Sequence, residues 1–381
     1  MWCEMPNRRS SISIFRYLLR SLAAIVVGMV AAAACMEVIL RVCGYGSISY
    51  LGYGQFQNNL ELPELGYAGR PNLDGIQTRE GYSRVVLNDF GFHDVNVQRE
   101  KRSGSFRVVV LGNSLTTAAQ VDVSETYVSH LGRTLATCPA LRGKDVEAIN
   151  LAVDGYATGQ NYLLMKELVS KYSPDFIILQ ESPGIAESEP DVAAHVAIDE
   201  DGREHIDSSF MHSRNYRIRS SAAFTWFLKL SDYSRLLQYA NEFRRKLGAR
   251  RGSKADKEGS DRLSAKTGLV EKARLLKAIV EISRSHPTPL ALVLIPDGES
   301  MDPRNADATP ASEGEMWWEK QSIGLGIPFI DAATSAWSFA RQHRVFLSGF
   351  GRQSGKGNLT RYGNGFFGEE FAKEICNLLT R

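Results

Sequence analysis

The sequence predicts a three-layer α/β/α sandwich on a parallel sheet of about five strands, preceded by one transmembrane helix. Three observations lead there. Short runs of continuous apolar residues recur: "FRVVVLG" (106–112), "VEAINLAV" (146–153), "DFIILQ" (175–180), "LALVLIP" (290–296) and "IPFID" (327–331). Such runs suit strands buried on both faces. Helical stretches at 123–137, 158–172, 267–285 and 365–380 alternate with them. Near the N-terminus, "LAAIVVGMVAAAACM" (22–36) carries no charge at all.

That last run defines a transmembrane anchor over residues 21–43, long enough as a helix to cross about 30 Å of hydrocarbon. Arg8, Arg9, Arg16 and Arg20 lie before it, against Glu4 alone. This bias keeps residues 1–20 as a basic cytoplasmic tail and sends the main domain to the periplasm or cell exterior. Glu37 and Arg41, four apart, fall on one helix face and can pair there. Two other readings stay open. "AAAAC" also fits a signal-peptidase site, or a lipoprotein site in which Ala32 stands where a larger aliphatic residue is usual.

Composition excludes more than it assigns. With 43% hydrophobic and 23% charged residues and a net charge of +2, the chain gives no global reason to invoke nucleic acid. The five cysteines are too scattered for a disulfide framework. Cys138 and Cys376, the two in the main domain, either pair in an exported protein or stay as buried thiols. No His/Cys/Asp/Glu group has metal-ligand spacing. "LGNSLTTAAQ" lacks the glycines and lysine of a phosphate loop, so neither metal nor cofactor is implied.

Residues 44–104, rich in Gly, Tyr, Asn and Pro, read as an irregular, partly β lead-in. The main domain spans 105–381, with a long insertion at about 187–288. Within it, 224–247 reads as helix. The basic run at 248–268 reads as a solvated, mobile loop that at most touches anionic lipid or polysaccharide.

In parallel sheets, function collects at the carboxyl ends of the strands. There the sequence places "GNSLT" (112–116), "NLAVDGYATGQ" (150–160), "LQESPGIAES" (179–188) and, before the last helix, "GKGNLTRYGNGFFGEEFAKEI" (355–375). A serine hydroxyl between strand and helix is a nucleophile only when a base takes its proton and donors stabilise the oxyanion. The alternative for Ser114 is that its oxygen caps the following helix.

The order and spacing of these four blocks resemble the SGNH, or GDSL-type, hydrolase family of serine esterases and acyltransferases. The lead-in "LNDFGFHD" (87–94) and "EVILR" (37–41) are similar to elements of its membrane-anchored bacterial members. The resemblance implies a flavodoxin-like sheet, Ser114 as nucleophile, and oxyanion donors from Ser114 and Gly155. It also marks departures. Asn113 replaces the usual aspartate, and Ile185 falls where an oxyanion-hole asparagine is expected. Asn358 stands at the position of the histidine base, and Gly355 at that of its aspartate. Isoleucine donates no hydrogen bond and an asparagine amide is no general base.

Among substitutes, Glu181 and Asp297 follow the third and fourth strands and read as polar residues at the pocket rim, as does Asn113. His343 follows strand five, and His93 reads as a structural or rim residue. His130, His195, His205, His212 and His286 fall on helix faces or loops. The expected function is a membrane-anchored, catalytically degenerate protein that binds or presents a glycan or acyl group. The resemblance sets this in envelope or exopolysaccharide modification. The alternatives are an active esterase or O-acyltransferase using Ser114 with a non-standard base, or an interaction subunit of a membrane acyltransferase.

Overall fold

The computed structural model describes residues 8–45, 56–59, 61–77, 80–184, 192–252, 261–307 and 311–380. The chain divides into two units, one of Met1–Tyr53 with Phe227–Ala255, the other of Gly54–Trp226 with Asp256–Arg381.

In the first unit the uncharged run forms α1 (Arg8–Val42), which exposes Leu22, Ile25, Val26 and Val30 along its length. Within residues 16–42 an 18-residue stretch has a mean hydropathy of 2.4, and the helix is long and apolar enough to cross a membrane. Near its end Glu37 pairs with Arg41 at 2.8 Å. The Glu37 carboxylate also accepts the backbone N–H groups of Arg235 and Leu236, each at 2.9 Å. It thus satisfies orphan donors at the start of a helix, where negative charge is favoured.

The second unit begins with two small antiparallel hairpins. β1 (Phe56–Asn58) pairs with β2 (Tyr67–Gly69), and β3 (Asp74–Gln77) with β4 (Ser83–Val86). The "LNDFGFHD" element follows as a turn. Asn88 Oδ1 accepts the N–H groups of Phe90 and Phe92, both at 3.0 Å.

The five expected strands form one parallel sheet. β5 (Ser105–Leu111), β6 (Asp145–Asn150) and β7 (Phe176–Glu181) come first in the chain. The insertion then adds an antiparallel hairpin, β8 (His195–Ile198) with β9 (Glu204–Asp207). β10 (Leu290–Leu294) and β11 (Phe329–Asp331) complete the sheet in the order β11-β10-β7-β5-β6. β5, β7 and β10 are buried at every residue, as their continuous apolar runs require.

Helices cover both faces. A four-residue helix, α2 (Ser114–Thr117), leaves β5, and α3 (Tyr127–Leu135) packs on one face. α4 (Thr158–Glu167) covers the other. The insertion carries α5 (Arg214–Arg219), α6 (Ala222–Tyr233), α7 (Arg235–Gly252) and α8 (Asp261–Ser285). α8 packs Leu275, Leu276 and Ile279 into the α4 face and is the crossover that two parallel neighbours, β7 and β10, need. α9 (Glu313–Leu325) joins this face through Trp318. α10 (Ala333–His343) and α11 (Arg361–Thr380) join α3 on the opposite face.

Two expectations change. The loop expected over 248–268 is helical at both ends, through Gly252 and again from Asp261, with 253–260 outside the described residues. Its Ala, Lys and Arg residues lack apolar bulk but are good helix formers. His195 and His205 lie in strands rather than on helices or loops, since β8 and β9 pair with each other as an antiparallel hairpin. Finally, Cys138 and Cys376 form a disulfide, deciding between the two readings left open for them.

Candidate active site

The first block sits where β5 ends. Gly112 is required there, because a Cβ would lie 2.2 Å from Thr116 Oγ1. Asn113, not Ser114, caps α2: its Oδ1 accepts the Leu115 N–H at 3.0 Å. Its Nδ2 donates to Ser182 Oγ at 3.0 Å, tying the first block to the third. Below them Thr116 Oγ1 bonds Gln180 Oε1 at 2.7 Å and Tyr127 Oη at 2.8 Å. The last carbonyls of α2 are held too. Asn150 Nδ2 donates to Thr116 O and His93 Nδ1 to Thr117 O, both at 2.8 Å. Ser114 is therefore placed by a fully tied helix, yet its own hydroxyl makes no hydrogen bond among the described residues.

His93 is buried, and that burial draws its imidazole pKa down. The Thr117 carbonyl can only accept, so Nδ1 carries a proton. Its Nε2 is buried without a partner. Next to it, Asp94 accepts the Asn150 N–H at 2.7 Å, and burial pushes its carboxyl up to about 7.

In the second block Gly155 is exposed, with φ +84. Its N–H makes no hydrogen bond among the described residues. A Cβ here would meet Tyr67 Oη at 2.6 Å, so the glycine is needed for conformation and space alike. Tyr67 Oη donates to Asp154 O at 3.0 Å, so the lead-in braces this loop.

The third block departs from the sequence reading. Glu181, expected at the rim, is 2% exposed and accepts the Thr158 hydroxyl at 3.1 Å. It is the last residue of β7 and is buried along with the rest of that strand. Ser182 O accepts Trp318 Nε1 at 3.0 Å, and Gly184 O accepts Lys272 Nζ at 3.4 Å. Ile185 lies outside the described residues.

The fourth block holds a feature with no motif. Asn358 Nδ2 donates to Glu80 Oε2 at 2.6 Å, and Gln120 Nε2 reaches the same oxygen at 3.3 Å. Glu80 comes from the lead-in between β3 and β4. Gly355 has φ +85, and a Cβ on it would lie 3.5 Å from Asp302 Oδ2. Arg304 beside Asp302 holds that carboxyl below the usual range. Asp297 is exposed after β10. Partial burial of its carboxyl, with repulsion from Glu299, pushes its pKa up. His343 ends α10 exposed, stacked on Phe339 at 4.3 Å. Among the described residues, no histidine is bonded to Ser114, and no group of His, Cys, Asp or Glu is placed to hold a metal.

The arrangement thus defines a class: an α/β/α sandwich with a serine-bearing helix and a free glycine N–H at the carboxyl edge of its sheet. No family model and no curated protein matches the chain. Among solved structures, an acetyl xylan esterase, AlAXEase, is similar at 14% identity and TM-score 0.39, over 71% of this chain and all of that one. The two-domain esterase CEX, active on acetylated mannans, is similar at 9% and 0.40, over 73% of this chain and half of that one. TesA is similar at 11% and 0.36, over 71% and 99%. These likenesses concern the arrangement of strands and helices and assign no activity to this chain.

Proposed function

We propose that this chain is a membrane-anchored envelope protein that binds or presents a glycan or acyl group on a serine-esterase-like scaffold without working hydrolytic machinery. The reading rests on one observation. The residue at the expected base position is an asparagine whose amide is committed to the Glu80 carboxylate, while the Ser114 hydroxyl has no proton acceptor among the described residues. A serine without a base loses several powers of ten in turnover. The Cys138–Cys376 disulfide supports a periplasmic or exterior location for the main domain, since disulfides persist in oxidising compartments.

The test is reaction of the full chain with a fluorophosphonate probe, compared with Ser114→Ala. The expected result is no serine-dependent labelling. Labelling lost in the variant sinks the non-hydrolytic reading. One observation favours the active alternative: a carboxylate, Glu80, stands at Asn358. In that case Glu80→Gln also abolishes labelling.

A further inference from the structure

Arg219 closes α5, whose sequence RNYRIR carries three arginines and no acidic residue. The side chain is half-buried, and its neighbours are unusual. Arg99 pairs with Glu61, Arg107 with Glu147 and Arg361 with Glu125. Arg219 makes neither hydrogen bond nor ion pair among the described residues. With Tyr67, Asn58, Asn215 and Tyr216 it lines a cavity of about 20 Å³, to which no acidic side chain contributes among the described residues. Burial without a counter-ion pulls its pKa down, and the Tyr67 hydroxyl opposes that shift. That hydroxyl is the same one that abuts Gly155 and bonds Asp154 O. An uncompensated guanidinium therefore stands beside the loop that carries the free Gly155 N–H.

We propose that Arg219 anchors an anionic group, a carboxylate or a phosphate, of the ligand held on the Gly155 side of the site. The inference rests on the ligand-binding reading above and adds the ligand's charge. A buried charge without a partner is costly, and an incoming anion removes that cost. The planar fork of a guanidinium matches both carboxylate and phosphate through two parallel hydrogen bonds. Arg214 and Arg217 on the same helix add a positive field that steers anions towards it. Neutral sugars satisfy none of these conditions.

The full chain, reconstituted in nanodiscs, is titrated by calorimetry with sodium glucuronate, inorganic phosphate and glucose. We expect saturable binding of at least one anion and none of glucose. Glucuronate alone points to a sugar acid, and phosphate alone to a phosphorylated ligand. Arg219→Gln should weaken the bound anion by about tenfold or more. Binding of neither anion, equal binding of glucose, or unchanged affinity in Arg219→Gln overturns the proposal. Should that variant fail to fold by circular dichroism, Arg219→Lys keeps the charge but not the fork and must still weaken binding about threefold. Unchanged affinity there is equally fatal. The Ser114 probe is independent: anion binding with labelling removes only the non-hydrolytic reading, and no binding without labelling removes only this inference.

Discussion

At Asn358 the structure gives the missing base a physical address. A histidine placed there would face the Glu80 carboxylate that now accepts the Asn358 amide N–H at 2.6 Å, and so acquire an orienting partner. Asn358→His should then raise Ser114-dependent fluorophosphonate labelling by roughly 100-fold over the parent, the usual worth of a positioned base. Glu80→Gln in the same chain should remove most of the gain. Adding Gly355→Asp should not help. Its backbone, at φ +85, disfavours a side chain, and the Asp302 carboxylate 3.5 Å from the new Cβ repels the charge. Equal labelling in parent and Asn358→His would show that the 358 position lies out of reach of Ser114. The strand end that carries Ser114 was legible as an apolar run closing on Gly-Asn-Ser, whereas Gly155 was placed by its likeness to a family block. Glu80 was not legible, since its partner is 278 residues away and no spacing links them. Glu181 misled because a carboxylate after an apolar run reads as a loop residue, whereas the strand runs one residue further and buries it.

Among the elements, the lead-in does work that its irregular sequence hides. His93 ties α2 through Thr117 O, Asp94 ties β6 through the Asn150 N–H, and Asn150 returns to Thr116 O. Burial raises the Asp94 carboxyl to about 7, above its unfolded value near 4. Between those values the native state holds a proton that the unfolded state has released. Stability contributed by the protonated carboxyl is therefore present at low pH and lost as pH rises towards 7. Thermal melting should show Tm falling across about pH 4 to 7, with Asp94→Asn much flatter over the same window. Parallel curves for the two proteins would place the titration elsewhere. The strands were readable because both-face burial demands unbroken apolar runs. α9 and α10 were not, because they bury small or single groups, Trp318 on one and Ala336 and Ala340 on the other, and so show weak periodicity.

For the whole molecule, the long apolar N-terminal helix could be read from composition alone, but the disulfide could not. A sequence separation of 238 residues says nothing about proximity, which arises only because α3 and α11 pack side by side on one face of the sheet. Cys138 follows α3 and Cys376 lies within α11, so the bond joins the first helical layer to the last element of the chain. Closing so long a loop restricts the unfolded chain, and removing such a bond typically costs about 2–4 kcal/mol. In a domain of this size that corresponds to a Tm lower by roughly 3–7 °C. Cys138→Ser/Cys376→Ser should melt that much earlier than the parent under non-reducing conditions, and dithiothreitol should lower the parent to the same point without moving the variant. The same bond reports compartment. In intact cells, a maleimide reagent should modify neither Cys138 nor Cys376 before reduction and both after reduction and unfolding. Modification of both without reduction would mean that the domain folds in a reducing compartment, and would reverse the orientation drawn from Arg8, Arg9, Arg16 and Arg20.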